Sequence, residues 1–173
     1  MTGPDRTVRT VLALGSNLGD RMAMLQGAVD ALFEPPGLTL VAVSPVYETA
    51  PVGGPDQGPY LNAVVVADTV FGPELLLERT QGAEEAFERV RDVRWGPRTL
   101  DVDIITYGDL TSDDPRLQLP HPRAHERAFV LRPWFDVAPD AVLPGRGAVR
   151  DLLAGVGDQE LSRRDDLVLR VSA

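Results

Sequence analysis

Over its first 107 residues the chain alternates strand-like and helix-like patterning in the order β-α-β-β-α-β, and that order constrains its fold most. Val8–Leu14 is rich in β-branched and aliphatic residues and reads as a strand. Gly15-Ser16-Asn17 breaks it, and Asp20 is placed to cap a helix whose apolar residues are Met22, Leu25, Val29, Leu32 and Phe33. Pro35-Pro36-Gly37 ends that helix. Leu38–Tyr47 reads as a second strand, and 48–59, with three prolines and three glycines, as a loop. Tyr60–Asp68 is a third strand. Pro73 opens a second helix with an apolar stripe of Leu76, Ala83, Phe87 and Val90. Leu100–Tyr107 is a fourth strand.

This is the ferredoxin-like pattern of an α+β fold, an antiparallel sheet with both helices on one face. From Gly108 onward the expectations are C-terminal additions: a short strand near Leu117–Leu119, helical turns over 125–138, a short helix at Val149–Ala154 and a final strand at Leu167–Val171. In the ferredoxin-like arrangement the strands lie in the order fourth, first, third, second. The end of the first strand then meets the starts of the third and fourth. Alternation puts Asp101 and Asp103 on one face of the fourth strand and Leu100, Val102 and Ile104 on the other. The apolar set packs on the helices and leaves the carboxylates on an open face, together with Tyr60 and Asn62.

Composition narrows what this edge can do. A chain of 173 residues buries roughly 70% of its extended surface, so it needs no covalent staple. Cysteine is absent, which excludes disulfides, thiolate metal sites and cysteine nucleophiles. No apolar run approaches membrane-spanning length and Met1–Thr10 is polar, so a cytoplasmic location without membrane contact is expected. A net charge of −9 argues against nucleic acid as partner, and against an RNA-binding module of this topology. All 17 basic residues are arginine, so phosphate chemistry here runs without lysine. Arg89, Arg91, Arg94 and Arg98 cluster in this acidic chain.

Asp-x-Asp at a strand start offers two hard oxygen ligands on one face, within reach of one metal or of two. Carboxylates select Mg²⁺ or Mn²⁺, and Mg²⁺ completes its shell with water and phosphates. Arginines beside it supply planar, permanently charged forks for phosphate oxygens. In an extended loop Arg89 and Arg91 point the same way, and the segment from Arg89 to Trp95 is expected to close over ligands. Trp95 among arginines suits stacking on a planar ligand. Asn62 in an apolar strand needs an amide partner, which a heterocycle edge could be. A ferredoxin-like nucleotide-binding regulatory module is the alternative, but it leaves paired carboxylates facing arginines unexplained.

Ala13-Leu14-Gly15-Ser16-Asn17-Leu18-Gly19, Tyr60-Leu61-Asn62 and, most specifically, Arg94-Trp95-Gly96-Pro97-Arg98-Thr99-Leu100-Asp101-Val102-Asp103-Ile104 resemble the 6-hydroxymethyl-7,8-dihydropterin pyrophosphokinase family (2-amino-4-hydroxy-6-hydroxymethyldihydropteridine diphosphokinases). Leu119-Pro120-His121-Pro122 and Arg127-Ala128-Phe129-Val130-Leu131 continue the likeness in the same order. It extends over residues 8 to 155. The resemblance implies a single pyrophosphokinase domain over 1–173, with a core of about 8–155 and an unassigned tail at 156–173. The implied activity is ATP-dependent transfer of pyrophosphate to 6-hydroxymethyl-7,8-dihydropterin, giving the pterin diphosphate and AMP in tetrahydrofolate biosynthesis, by a monomer. It also implies two Mg²⁺ ions held by Asp101 and Asp103, with Arg89, Arg91 and Arg98 completing the catalytic set. ATP contacts would come from Leu77, Gln81, Glu84, Arg89, Arg91, Trp95, Arg98, Ile104, Arg116, His121 and Arg127. The pterin pocket would comprise Thr49, Ala50, Val52, Tyr60, Asn62, Trp95 and Phe129.

Overall fold

The computed structural model describes residues 6–17, 20–49, 59–91 and 100–170, for 88–91 the backbone alone. The first half runs β1 (Val8–Ser16), α1 (Arg21–Phe33), β2 (Leu38–Val43), β3 (Tyr47–Thr49), β4 (Tyr60–Thr69), α2 (Pro73–Arg91) and β5 (Asp101–Tyr107). After a 3₁₀ turn at Ala124–Glu126 come α3 (Ala128–Val137), β6 (Val142–Leu143), β7 (Gly147–Ala148), α4 (Val149–Ala154) and β8 (Leu161–Arg163). The main sheet is antiparallel in the order β5-β1-β4-β3-β8, with β2 also paired to β4. The chain is therefore a mixed α/β protein in which β1 lies between β5 and β4, and β4 pairs on its other side with β2 and β3.

The Asp20 side chain accepts the Ala23 N–H at 3.0 Å and starts α1, as its position predicts. α1 buries Leu25, Ala28, Val29 and Leu32 against Leu12, Leu14, Leu61, Ala63 and Val65 of the sheet, and α2 adds Leu76 and Ala83 to the same layer. Each such leucine contributes about 1.5–3 kcal/mol by leaving water. Gly27 lets the helices approach closely, because a Cβ there would lie 2.2 Å from the Phe87 ring. Leu100, Val102 and Ile104 join this core, the face their alternation predicts.

Four expectations are corrected. The second strand is two strands, because Pro45 has no N–H for a ladder. Ser44 bridges the break: its Oγ accepts the Val64 N–H at 2.8 Å, and its own N–H bonds the Val64 carbonyl at 2.9 Å. Glu48 and Thr49 consequently belong to β3 and not to a loop. Next, α2 continues through Arg89 and Arg91, so these positions are helix where extended chain was expected. Third, the face opposite α1 and α2 is not open along its length. Ala128, Val130, Leu131 and Trp134 of α3, with Val149 of α4, form a second core on Val11, Val64, Val66 and Ile105. The sheet end near Gly15 keeps half-exposed polar residues on that face, Asp101 and Asp103 among them.

The fourth correction concerns the tail. Residues 117–119 make a single bridge, Ser112 to Leu119, and 167–170 are not strand; residue 171 lies outside the described residues. The tail's strand is β8, which adds to the free edge of β3. The helix expected at Val149–Ala154 forms with those bounds, and the turns expected over 125–138 become the 3₁₀ turn and α3. Among the described residues no helix is long and apolar enough to cross a membrane.

Candidate active site

Register across the sheet assembles the site. Gly15 of β1 lies opposite Asp101 of β5 on one side and Asn62 of β4 on the other, and Asn62 lies opposite Tyr47 of β3. Asp101, Gly15 and Asn62 thus form one row, with the carboxylate and the amide two strand spacings, about 10 Å, apart. Asp103 takes the corresponding place opposite Ala13. Between the two polar ends stands a residue with no side chain. A Cβ on Gly15 would sit 3.4 Å from Asn62 Oδ1 and 3.7 Å from the Tyr60 ring, so the glycine leaves a floor that any side chain would begin to fill.

The amide end is buried. Asn62 is 4% exposed, and its Nδ2 donates to Thr49 Oγ1 at 3.1 Å. Tyr60 lies opposite Thr49 at the strand mouth. Its phenol is pushed above its ordinary pKa, chiefly by burial and further by the Asp101 charge, and so stays protonated at neutral pH. Register and alternation put phenol and carboxylate on the same face. Behind this end, Tyr47 donates its hydroxyl to Asp136 of α3, and Arg132 reaches both, with 3.3 Å to the Tyr47 oxygen and 3.1 Å to the carboxylate.

At the acidic end, His121 follows the segment after β5, and its N–H bonds the Ile105 carbonyl at 2.9 Å. Burial lowers the imidazole pKa more than the Asp103 charge restores it, and Arg127 and Arg123 lower it further, so the ring is neutral at pH 7. The Arg123 N–H donates to Nδ1 at 3.2 Å, which assigns the ring proton to Nε2. Arg127 lies over the Phe129 ring, 5.5 Å from its centroid. One sheet end thus carries two carboxylates, a neutral histidine and a cation on an aromatic face.

Glu84 does something its sequence position does not reveal. β5 is the outermost strand, so alternate N–H groups point away from β1 and lack a ladder partner. Glu84 of α2 accepts one of these, the Val102 N–H, at 2.8 Å, and so grips the backbone between Asp101 and Asp103. Glu84→Ala strands that donor and lowers stability by about 2 kcal/mol, a Tm decrease of about 4–8 °C, whereas Glu84→Gln retains an acceptor and loses less. Calorimetry of the two variants checks this; equal Tm values for both and the parent rule it out.

The remaining expected site residues divide by location. Ile104 is buried and Leu77 half-buried in the helix-side core, on the sheet face opposite Asp103, and Gln81 is exposed on α2. Arg116 is exposed in the segment after β5, its N–H held by Asp114 at 2.9 Å. Ala50, Val52, Trp95 and Arg98, with Arg94, lie outside the described residues, as do the side chains of Arg89 and Arg91. The expected closure of the segment from Arg89 to Trp95 falls largely there too. Sequence reasoning missed the Tyr47–Asp136–Arg132 group, because nothing local links α3 to β3. It also passed over the burial of Ser16 and Asn17. Ser16 Oγ and both amide atoms of Asn17 are buried and have no hydrogen-bond partner among the described residues. Buried polar groups in that condition cost about 1–3 kcal/mol each until something engages them.

Comparison with known proteins gives one result. The family model for 7,8-dihydro-6-hydroxymethylpterin-pyrophosphokinase matches residues 11–139. The 2-amino-4-hydroxy-6-hydroxymethyldihydropteridine pyrophosphokinase of Methylorubrum extorquens is 46% identical over 155 residues, 90% of this chain and 98% of its own length. Its counterpart in Mycobacterium tuberculosis H37Rv is 44% identical over 171 residues, 93% of this chain and 89% of its own. A solved structure, wild-type Plasmodium falciparum HPPK-DHPS with pterin and p-hydroxybenzoate, superposes with a TM-score of 0.68 at 18% identity. The match covers 88% of this chain and 44% of that one, and at this identity shows a shared fold. With a matching family model over most of its length and relatives this similar end to end, the chain belongs to the 7,8-dihydro-6-hydroxymethylpterin-pyrophosphokinase family.

Proposed function

We infer that the row Asp101–Gly15–Asn62 is the axis of the active site, with the phosphate chemistry at the carboxylate end and the pterin at the amide end. The chain is a pyrophosphokinase, moving pyrophosphate from ATP to the hydroxymethyl group of 6-hydroxymethyl-7,8-dihydropterin in folate biosynthesis. The observation that carries the assignment of residues is the register: the carboxylate and the amide flank a glycine, which puts no side chain between them.

Asp101 and Asp103 would hold Mg²⁺, two ions in our reading. The donor set fits: two carboxylates on one face beside a backbone floor leave most of an octahedral shell to water and phosphate oxygens. When bound, Mg²⁺ offsets the charge of the triphosphate and polarises the phosphoryl group that moves. The chain's own groups do the rest. His121 donates its Nε2 proton to a phosphate oxygen and adds no charge. Arg127 and Arg116, with Arg89, Arg91 and Arg98, supply permanent positive charge for the β- and γ-phosphates. Asn62 and Thr49 orient the heterocycle by its edge, and Tyr60 and Phe129 offer it aromatic surface. Leu77 and Ile104, with Gln81 and Glu84, border the nucleotide on the α2 side. The ferredoxin-like core, residues about 8–155 of one domain, is in this reading the scaffold for both ends.

The product mixture tests the reading. Attack at the β-phosphorus sends off AMP, whereas an ordinary kinase reaction at the γ-phosphorus releases ADP. Phosphorus NMR is expected to show AMP and pterin diphosphate in equal amounts. ADP with pterin monophosphate overturns it.

A further inference from the structure

We propose that the C-terminal segment 161–170 is a positioning element for the pterin end of the site, acting through a two-arginine clamp on Glu48. The proposal rests on the reading of Thr49 and Asn62 given above.

β3 is three residues long and carries Thr49 at its end. A strand so short holds its place poorly through one ladder. β8 supplies the second: Leu161 lies opposite Thr49, Ser162 opposite Glu48 and Arg163 opposite Tyr47. Alternation turns Tyr47 and Thr49 to the site face and Glu48 to the α1 face. There Glu48 is gripped on both oxygens. Arg21 Nη1 donates to Oε2 at 2.7 Å and Arg164 Nη1 to Oε1 at 3.1 Å. The Arg21 bond outweighs burial and holds the Glu48 carboxyl below its ordinary range, so it is charged at neutral pH.

Each arginine is tied to something further. Arg21 Nη1 also donates to the Pro59 carbonyl at 2.9 Å, so one guanidinium spans the residue before Thr49 and the residue before Tyr60. Thr49 and Tyr60 are cross-strand partners at the mouth of the site. Arg164 is held in two-pronged fashion by Asp166, at 3.0 and 2.8 Å, and its backbone N–H bonds the Val46 carbonyl at 2.8 Å. Beyond it the segment returns to α1. Leu169 is buried in the helix-side core, and Gln26 bonds the Arg170 backbone twice, at 2.8 Å each. The segment thus straps the edge of the sheet from β8 to α1 and holds β3 from behind. It lies wholly beyond residues 11–139, which the family model spans.

Full-length Arg164→Ala, Arg164→Gln and Glu48→Gln, with Arg163→Ala as control, are compared by steady-state kinetics with each substrate varied in turn. Arg163 sits on the same strand and is ion-paired to Asp165. We expect the KM for the pterin to rise about tenfold in all three clamp variants, with the KM for ATP within about twofold of the parent. Arg163→Ala stays at parental values. The double variant Arg164→Ala/Glu48→Gln is no worse than the more affected single one, because both break one clamp. An unchanged pterin KM in Arg164→Ala and Arg164→Gln overturns the proposal, as does an equal rise in both KM values. Asn62→Leu is measured alongside. If it too leaves the pterin KM unchanged, the pterin-end reading itself fails; if it raises the KM while the Arg164 variants do not, only the clamp fails.

Discussion

Asp101→Asn and Asp103→Asn each reduce kcat by about 10³-fold or more at saturating Mg²⁺, since forfeiting roughly 4 kcal/mol of charge stabilisation costs that much in rate. The substitutions keep shape and a carbonyl oxygen, and both positions are only half-buried on β5, so the fold survives. The two ends of the site are about 10 Å apart by strand spacing, and pterin affinity measured by calorimetry should change far less than turnover. Titration with Mn²⁺, followed by electron paramagnetic resonance, reads the metal site without relying on activity. Either variant turning over at close to the parental rate removes these carboxylates from the chemistry.

At the other end, Asn62→Leu raises the KM for the pterin by about 10²-fold or more and leaves the KM for ATP near its parental value. A pocket built to hydrogen-bond a heterocycle loses far more when its polar group is replaced than an apolar pocket loses on changing a methylene. Leucine has the branching of asparagine with methyl groups in place of the oxygen and nitrogen, so it gives Thr49 Oγ1 no partner in place of the amide now 3.1 Å away. Thr49→Val probes the same contact from its other side and should cost less, because it keeps the amide. Kinetics with each substrate varied separates the two ends of the site. Equal losses for both substrates, or none, count against Asn62 as the pterin's partner.

Much of this site was legible locally. A strand's period of two places Asp101 and Asp103 opposite Leu100, Val102 and Ile104 without any tertiary information, and the core confirms those faces. Asp20 as cap and Pro73 as first helical residue follow from backbone chemistry alone. Other features were hidden for identifiable reasons. Arg89 and Arg91 continue α2 because Glu- and Arg-rich sequence suits an exposed helix as well as a loop. β8 is a three-residue strand reading Leu-Ser-Arg, too short and too polar to show alternation, and it forms because β3 presents an unpaired edge.

The sequence by itself determined which residue types are available, the order of the elements and the face each side chain takes, because propensity and periodicity act over a few neighbouring residues. It also carried the family's motif, and with it the chemistry. Only the tertiary structure decided what each face packs against. Apolar stripes on α3 and α4 announce burial but name no partner, and their docking on Val64, Val66 and Ile105 covers the middle of the face expected to be open. The same holds for the row that joins Asp101 to Asn62 through Gly15, for Glu84 on the Val102 amide and for Arg164 on Glu48. The partners in these contacts are 18 to 116 residues apart in the chain where the bond is direct. Hydrogen bonds and ion pairs are specific only once strand register has brought their groups within about 3 Å, and register is a property of the whole sheet.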